Sequence, residues 1–212
     1  MDYLFEDRKD AGEKLFSYLK NFNLKNPIVL ALPRGGVVVG AEVAQDLQAP
    51  FDVVIARKIG APGHPEFGIG AISEDEIPVF NKEASQYFRP DEPLVKQTID
   101  EEIEELHRRI ELYRHGKDLP DLSNRTVIVV DDGLATGVTA AAAGKFLRNQ
   151  KPAELILAVP VGPTQISQDV LTSYDQVICL HSLSDLRAVG LWYDKFDQTE
   201  DEEVLQILKR FH

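Results

Sequence analysis

Residues 126–139 read TVIVVDDGLATGVT, from Thr126 through Thr139, and the rest of the chain is interpreted around them. The apolar run Thr126–Val130 has the length and β-branched content of a buried strand, and the paired carboxylates Asp131 and Asp132 end it at once. Small residues follow: Gly133, Leu134, Ala135, Thr136, Gly137, Val138 and Thr139 make a turn, and Ala140–Ala143 open a helix. A strand, a tight turn and a helix N-terminus gather backbone N–H groups around a phosphate. Two aspartates directly before such a loop would repel bare phosphate. They fit a ligand that also brings a metal ion or hydroxyl donors. A ribose 5-phosphate unit has both ends: phosphate for the loop, 2′- and 3′-hydroxyls for the aspartates.

Upstream, Ala11, Leu15, Tyr18, Leu19 and Phe22 recur at helical spacing and predict an amphipathic helix from Arg8 to Phe22. Ile28–Leu32 is a buried strand ended by Pro33, Arg34, Gly35 and Gly36, and Val37–Leu47 is the helix after it. Phe51–Ala56 is a second strand, with Arg57 and Lys58 just beyond its end. Four glycines and two prolines between Ile59 and Ala71 predict a mobile loop, and Ile77–Phe80 the return strand of a following hairpin. Glu92–Arg114 is a charged helix with acids early and bases late, which suits the helix dipole. Its apolar stripe is Ile99, Ile103, Leu106, Ile110 and Tyr113, and its carboxylates read as a solvated face. Downstream come a helix at Ala140–Arg148, a strand at Glu154–Val161, a short helix and a strand at Gln176–Leu180. An irregular aromatic segment, AVGLWYDKF (Ala188–Phe196), precedes a closing helix from Asp201 to Phe211.

Strands alternating with helices argue an α/β fold: a central, mostly parallel sheet flanked by helices. Ligands of such sheets lie at the carboxyl ends of the strands. PRGG, Arg57-Lys58 and DDGLATGVT each follow a predicted strand, so three polar loops converge on one edge.

The 212 residues suffice for one sizeable core. Apolar residues are 43% and charged ones 27%, which excludes a disordered or fibrous chain. The formal charge of −12 argues against nucleic acid and anionic membranes as partners. Cys179 stands alone within VICL and reads as a buried strand residue of a reducing compartment. No apolar run reaches membrane-spanning length, and the N-terminus MDYLFEDRKD is too charged for a signal peptide, so a cytoplasmic location is expected. His and Cys residues do not cluster at zinc-ligand spacing.

A P-loop is absent, since Gly144-Lys145 is followed by Phe146, and so is the dinucleotide fingerprint G-x-G-x-x-G. VIVVDDGLATG (Val127–Gly137) resembles instead the phosphoribosyl-diphosphate signature of the type I phosphoribosyltransferases: an apolar strand, two adjacent acids, then a small residue, Thr and Gly. LPRGG resembles that family's pyrophosphate loop, and residues 59–71 its flexible catalytic loop. AVGLWYDKF lies where members have a hood over the base. PRGG, ARKIGAPGHPEFGIGAI and AVGLWY together look like a group of bacterial and archaeal stand-alone members of unassigned substrate.

The resemblance implies one phosphoribosyltransferase domain over residues 1–212, with a core at 25–180, the flexible loop at 59–71 and a small C-terminal hood at 181–212. It implies that Asp131 and Asp132 hold the ribose hydroxyls, directly or through Mg²⁺. Gly133 to Thr139 would cradle the 5′-phosphate, helped by the Thr136 and Thr139 hydroxyls. Pro33, Arg34, Gly35 and Gly36 would bind pyrophosphate through an often cis peptide, and Arg34, Arg57 and Lys58 would neutralise it as it leaves. His64 and Glu66 are candidates to reach in from the flexible loop, and Trp192 to stack on the base. Ala135 replaces the aspartate that meets the purine N7 in the hypoxanthine–guanine branch, so the base is left open. The implied reaction is Mg²⁺-dependent transfer of phosphoribosyl to a nucleobase-like nitrogen, by a homodimer. A regulator with the same fold that binds nucleotide and nucleic acid is the alternative, as is a hydrolase or phosphorylase of a phosphorylated ribose compound.

Overall fold

The computed structural model describes residues 3–82 and 84–211. The N-terminal charge reading begins on Met1 and Asp2, which lie outside the described residues. In chain order, α1 (Arg8–Leu19), β1 (Ile28–Ala31), α2 (Gly35–Leu47) and β2 (Phe51–Val53) come first, followed by β3 (Ala56–Ala61), β4 (His64–Ser73) and β5 (Val79–Phe80). Then come α3 (Pro93–Arg114), β6 (Thr126–Val130), α4 (Val138–Asn149), β7 (Glu154–Pro163), α5 (Gln168–Ser173), β8 (Gln176–Leu183) and α6 (Asp201–Leu208).

Five strands form a parallel sheet in the order β2–β1–β6–β7–β8, flanked by helices. Its strands are apolar at nearly every position because both faces are covered. Val29, Ala31, Ile128, Val130, Ile156 and Ala158 pack toward α1 and α2. Their alternates Ile28, Leu30, Val127, Val129, Leu155 and Leu157 pack toward α4 and α5. All are essentially inaccessible, and each large aliphatic side chain so buried contributes about 1.5–3 kcal/mol relative to exposure.

The segment expected to be a loop at 59–71 is a hairpin. β3, β4 and β5 form a separate antiparallel sheet. The glycines taken as breakers allow close approach instead: a Cβ on Gly60 would meet the Pro65 carbonyl oxygen at 2.6 Å. The pairing is irregular there, with register shifts on both sides of Gly60. A second difference follows. The run expected as one strand, Phe51–Ala56, breaks after Val53, and β3 begins at Ala56 in the other sheet, so Arg57 and Lys58 lie within β3 rather than beyond a strand end.

Candidate active site

β1 and β6 are neighbours, yet the chain proceeds from β1 outward to β2 and from β6 outward to β7 on the opposite side. Their carboxyl ends therefore flank a switch point, where diverging loops open a crevice. Residues 32–36 leave β1 there and residues 131–139 leave β6. The Leu32 N–H donates to the Val130 carbonyl at 2.9 Å and ties the two exits together. Contact tightens further on: a Cβ on Gly35 would stand 2.0 Å from Asp132 Oδ2 and 2.8 Å from Arg8 Nε. Only glycine lets the first loop lie against the acid pair. The Pro33–Arg34 peptide bond is cis, the geometry that the resemblance implies for this loop.

Helices α2 and α4 start directly at these loops, and neither carries a side-chain cap. Asp7 and Ser167 supply such caps to α1 and α5, while α3 and α6 also go without one. The first-turn N–H groups of α2 and α4 are thus left for solvent or for an anion. Within the second loop, Gly133 and Leu134 are buried and the Leu134 N–H donates to the Val161 carbonyl at 2.8 Å. Ala135 and Thr136 are exposed at the loop's tip, and Val138 and Thr139 are half-buried.

Asp131 and Asp132 carry the electrostatic tension of the site. Burial pushes the Asp131 carboxyl well above the usual aspartate range, and the neighbouring Asp132 charge pushes it further. Its Oδ1 accepts the Asp132 N–H at 2.8 Å. Burial also raises Asp132, against the pull of Arg8. Arg8 Nε donates to Asp132 Oδ2 at 2.8 Å, with the two side chains only 11% and 16% exposed. Arg8 also donates to the Asp197 carbonyl at 2.7 Å and lies over the Phe196 ring at 3.8 Å. The Tyr193 hydroxyl donates to the Asp132 carbonyl at 2.6 Å. Arg8 does not stand out in the sequence, and Tyr193 does so only as an aromatic of the hood segment, with no sign of a tie to Asp132. Arg8 lies 124 positions from Asp132, and no local pattern links them.

The expected cations are all engaged by carboxylates. Arg34 Nη1 lies 3.2 Å from Glu200 and 3.6 Å from Asp201, at the start of α6. Asp201 in turn accepts the Tyr113 hydroxyl at 2.5 Å and Arg108 Nη2 at 3.1 Å. Arg57 Nε donates to Glu102 of α3 at 2.8 Å, so the helix face expected to be solvated is engaged at that point. Among the described residues Lys58 reaches only the exposed Glu66, at 3.8 Å. His64 is exposed at the start of β4, on the hairpin. Trp192 is half-buried, packed against the cluster of Phe5, Ala11, Val161 and Tyr193, and among the described residues its indole Nε1 is buried without a hydrogen-bond partner. Cys179 lies half-buried in β8, where burial pushes its thiol up, as a structural strand residue would have it.

A cavity of about 460 Å³ borders Thr136 and Val138, closed by Val79–Lys82 and Ser167–Asp169. A wider one of about 670 Å³ lies away from the loops, between the end of α3 and α6. Among the described residues, no group of three or more His, Cys, Asp and Glu side chains is arranged to hold a metal ion. No helix of the described residues is long and apolar enough to cross a membrane.

Comparison with known proteins agrees with this architecture. Residues 6–191 match the family described as the phosphoribosyl transferase domain. Proteins of two Mycobacterium tuberculosis strains, provisionally named phosphoribosyl transferases, are 42% identical over 209 residues, which is 99% of this chain and 47% of theirs. The chain thus spans about half the length of these curated relatives. The crystal structure of TT1426 from Thermus thermophilus is 36% identical and superposes with a TM-score of 0.79, over 100% of this chain and 99% of that one. The chain belongs to the phosphoribosyl transferase domain family.

Proposed function

We propose that the protein transfers the 5-phosphoribosyl group of phosphoribosyl diphosphate to a nucleobase-like nitrogen and releases pyrophosphate. The observation that carries this reading is a half-buried acid pair set between two helix N-termini without side-chain caps, at one switch point. That arrangement matches the donor end for end. The α4 loop, Gly133 to Thr139, takes the 5′-phosphate. Asp131 and Asp132 accept the ribose hydroxyls. The α2 loop, Pro33 to Gly36, takes the pyrophosphate.

In the reaction the anomeric C–O bond breaks, and pyrophosphate leaves with the electron pair. The acceptor nitrogen lone pair forms the new C–N bond, and the nitrogen's proton passes to solvent or to pyrophosphate. The sugar is oxocarbenium-like between these events, so the carboxylates below it stabilise positive charge while N–H groups and cations hold the departing anion. Arg34 would do so once pyrophosphate displaces Glu200 and Asp201, and Arg57 once it displaces Glu102. Closure of the β3–β4 hairpin, carrying Lys58 and His64, would exclude water that otherwise hydrolyses the sugar. Trp192 is a candidate to meet the base from the hood.

Mg²⁺ fits the donor set present here. Two half-buried carboxylates, of which Arg8 compensates one, suit an ion held chiefly by substrate phosphates and water rather than by a protein cage. When bound, Mg²⁺ supplies charge neutralisation at the leaving pyrophosphate. A cytoplasmic homodimer completes the proposal.

The test is a panel of purines, pyrimidines and orotate supplied with phosphoribosyl diphosphate and Mg²⁺, read by pyrophosphate release. Release with at least one base supports the proposal. Silence across the panel, with the donor still bound, would shift the assignment to a ligand-binding regulator. An electrophoretic shift of RNA or DNA at low salt would then support that reading.

A further inference from the structure

We infer that Arg8 is a positioning residue for the ribose: it holds Asp132, and through it the N-terminal segment and the hood become parts of the donor site. This rests on the proposed function above and adds a residue to it. The inference starts from how many independent contacts fix one side chain. Arg8 opens α1, where the Asp7 side chain caps the helix and sets its first turn. From there its guanidinium makes three contacts with three different partners. It donates to Asp132 Oδ2 at 2.8 Å, donates to the Asp197 carbonyl at 2.7 Å, and stacks on Phe196 at 3.8 Å. A surface arginine that merely found a carboxylate would not also be sandwiched by an aromatic ring and a backbone acceptor.

The partners are themselves anchored. Residues before α1 run alongside the hood: the Leu4 and Phe5 N–H groups donate to the Trp192 carbonyl, the Asp194 N–H to Phe5, and the Lys195 N–H to Glu6. Phe5 packs on Tyr193 at 5.0 Å between ring centres, and Tyr193 on Phe196 at 4.9 Å. Tyr193 then adds the second hold, donating to the Asp132 carbonyl at 2.6 Å. One side chain and one backbone oxygen of the same aspartate are thus gripped from the two ends of the chain. Gly35 closes the remaining side, since any Cβ there would collide with Asp132 Oδ2 and Arg8 Nε. The carboxylate is fixed in one orientation beside the pyrophosphate loop, so a ribose hydroxyl meets an acceptor already in place. Such preorganisation lowers the ordering cost of binding.

The consequence is selective. Arg8 acts on the sugar through Asp132, and among the described residues no hydrogen bond or ion pair joins it to the α4 loop that takes the 5′-phosphate. The experiment compares the unmutated protein with Arg8→Gln, Arg8→Lys and Tyr193→Phe by titration calorimetry, using ribose 5-phosphate and inorganic phosphate as probes and a thermal melt as a folding control. Arg8→Gln should weaken ribose 5-phosphate roughly 10–100-fold, as loss of an outer partner does for a ligating group, and leave inorganic phosphate unchanged. Arg8→Lys keeps the charge but not the fork or the stacking, so it should recover only part of the loss, and Tyr193→Phe should show a smaller loss of the same selectivity. Equal weakening of both probes, or no change in either, would overturn the inference, as would failure of lysine to restore binding in a folded variant. If the unmutated protein does not bind ribose 5-phosphate better than inorganic phosphate, the functional reading fails and the inference falls with it. That outcome is seen before any substitution is made.

Discussion

Asp131→Asn should make the empty protein more stable while removing its response to the donor. The Asp131 carboxyl is pushed up by burial and by the charge of Asp132, so holding it ionised at neutral pH costs folding free energy. An asparagine keeps the amide oxygen that accepts the Asp132 N–H at 2.8 Å and loses only the charge. Substitutions that relieve a functional site's built-in cost commonly return about 0.5–2 kcal/mol. In a chain of this size that corresponds to a rise in Tm of about 1–8 °C, at about 2–4 °C per kcal/mol. The sign with pH follows from the direction of the shift. A carboxyl raised in the folded state contributes stability below the unfolded aspartate pKa and loses it as pH rises through the folded one. The advantage of the asparagine variant is therefore largest at neutral pH and vanishes below about pH 4, where the unfolded aspartate is protonated too. Asp132→Asn should return less, because Arg8 already offsets part of the cost there. Differential scanning calorimetry across this pH range, with and without ribose 5-phosphate, reads all of these together. A destabilised Asp131→Asn at neutral pH, or a gain that persists unchanged at acid pH, would refute the electrostatic account of the acid pair.

Gly35→Ala places a methyl group 2.0 Å from Asp132 Oδ2, and overpacking of that kind costs about 1–3 kcal/mol, so a lowered melt and loss of donor binding by titration are expected together. Thr136 is exposed at the loop tip, so Thr136→Val should leave the melt unchanged while a competition assay shows phosphate binding weakened by about 0.5–1.5 kcal/mol, the net contribution of one hydrogen bond. Glu200→Gln removes an exposed partner of Arg34 worth at most about 1 kcal/mol to stability and leaves Asp201 at 3.6 Å as its remaining carboxylate, so pyrophosphate affinity should rise modestly; a lowered affinity would show that Arg34 does not serve that anion.

Much of the architecture was legible because parallel strands covered on both faces have a sequence signature of their own. The uninterrupted apolar run Thr126–Val130 and its equivalents could be read without any knowledge of partners, and the strand–loop–helix order put PRGG and DDGLATGVT on one edge. The hairpin at β3–β4 was not legible. Its glycines carry the same local signal whether they break structure or admit a neighbouring backbone, and only the pairing of Gly60 with Gly68 and its close approach to Pro65 distinguish the two. Arg57 and Lys58 were misplaced for the same reason.

What the sequence determined by itself is the chemistry available at the sheet edge: two adjacent acids, a small-residue loop opening a helix, and a glycine-rich loop opposite. Each is a contiguous motif, so the spacing within it along the chain is its spacing in the site, while the pairing of β1 with β6 sets the two loops against each other. The tertiary structure alone decided which charges answer them. Arg8, Tyr193, Glu102 and Glu200 reach the site from segments far away in sequence, and each is an ordinary helix or loop residue where it stands. Ion pairs and hydrogen bonds act over a few ångströms of space, so a partner far along the chain leaves no periodic trace in the sequence.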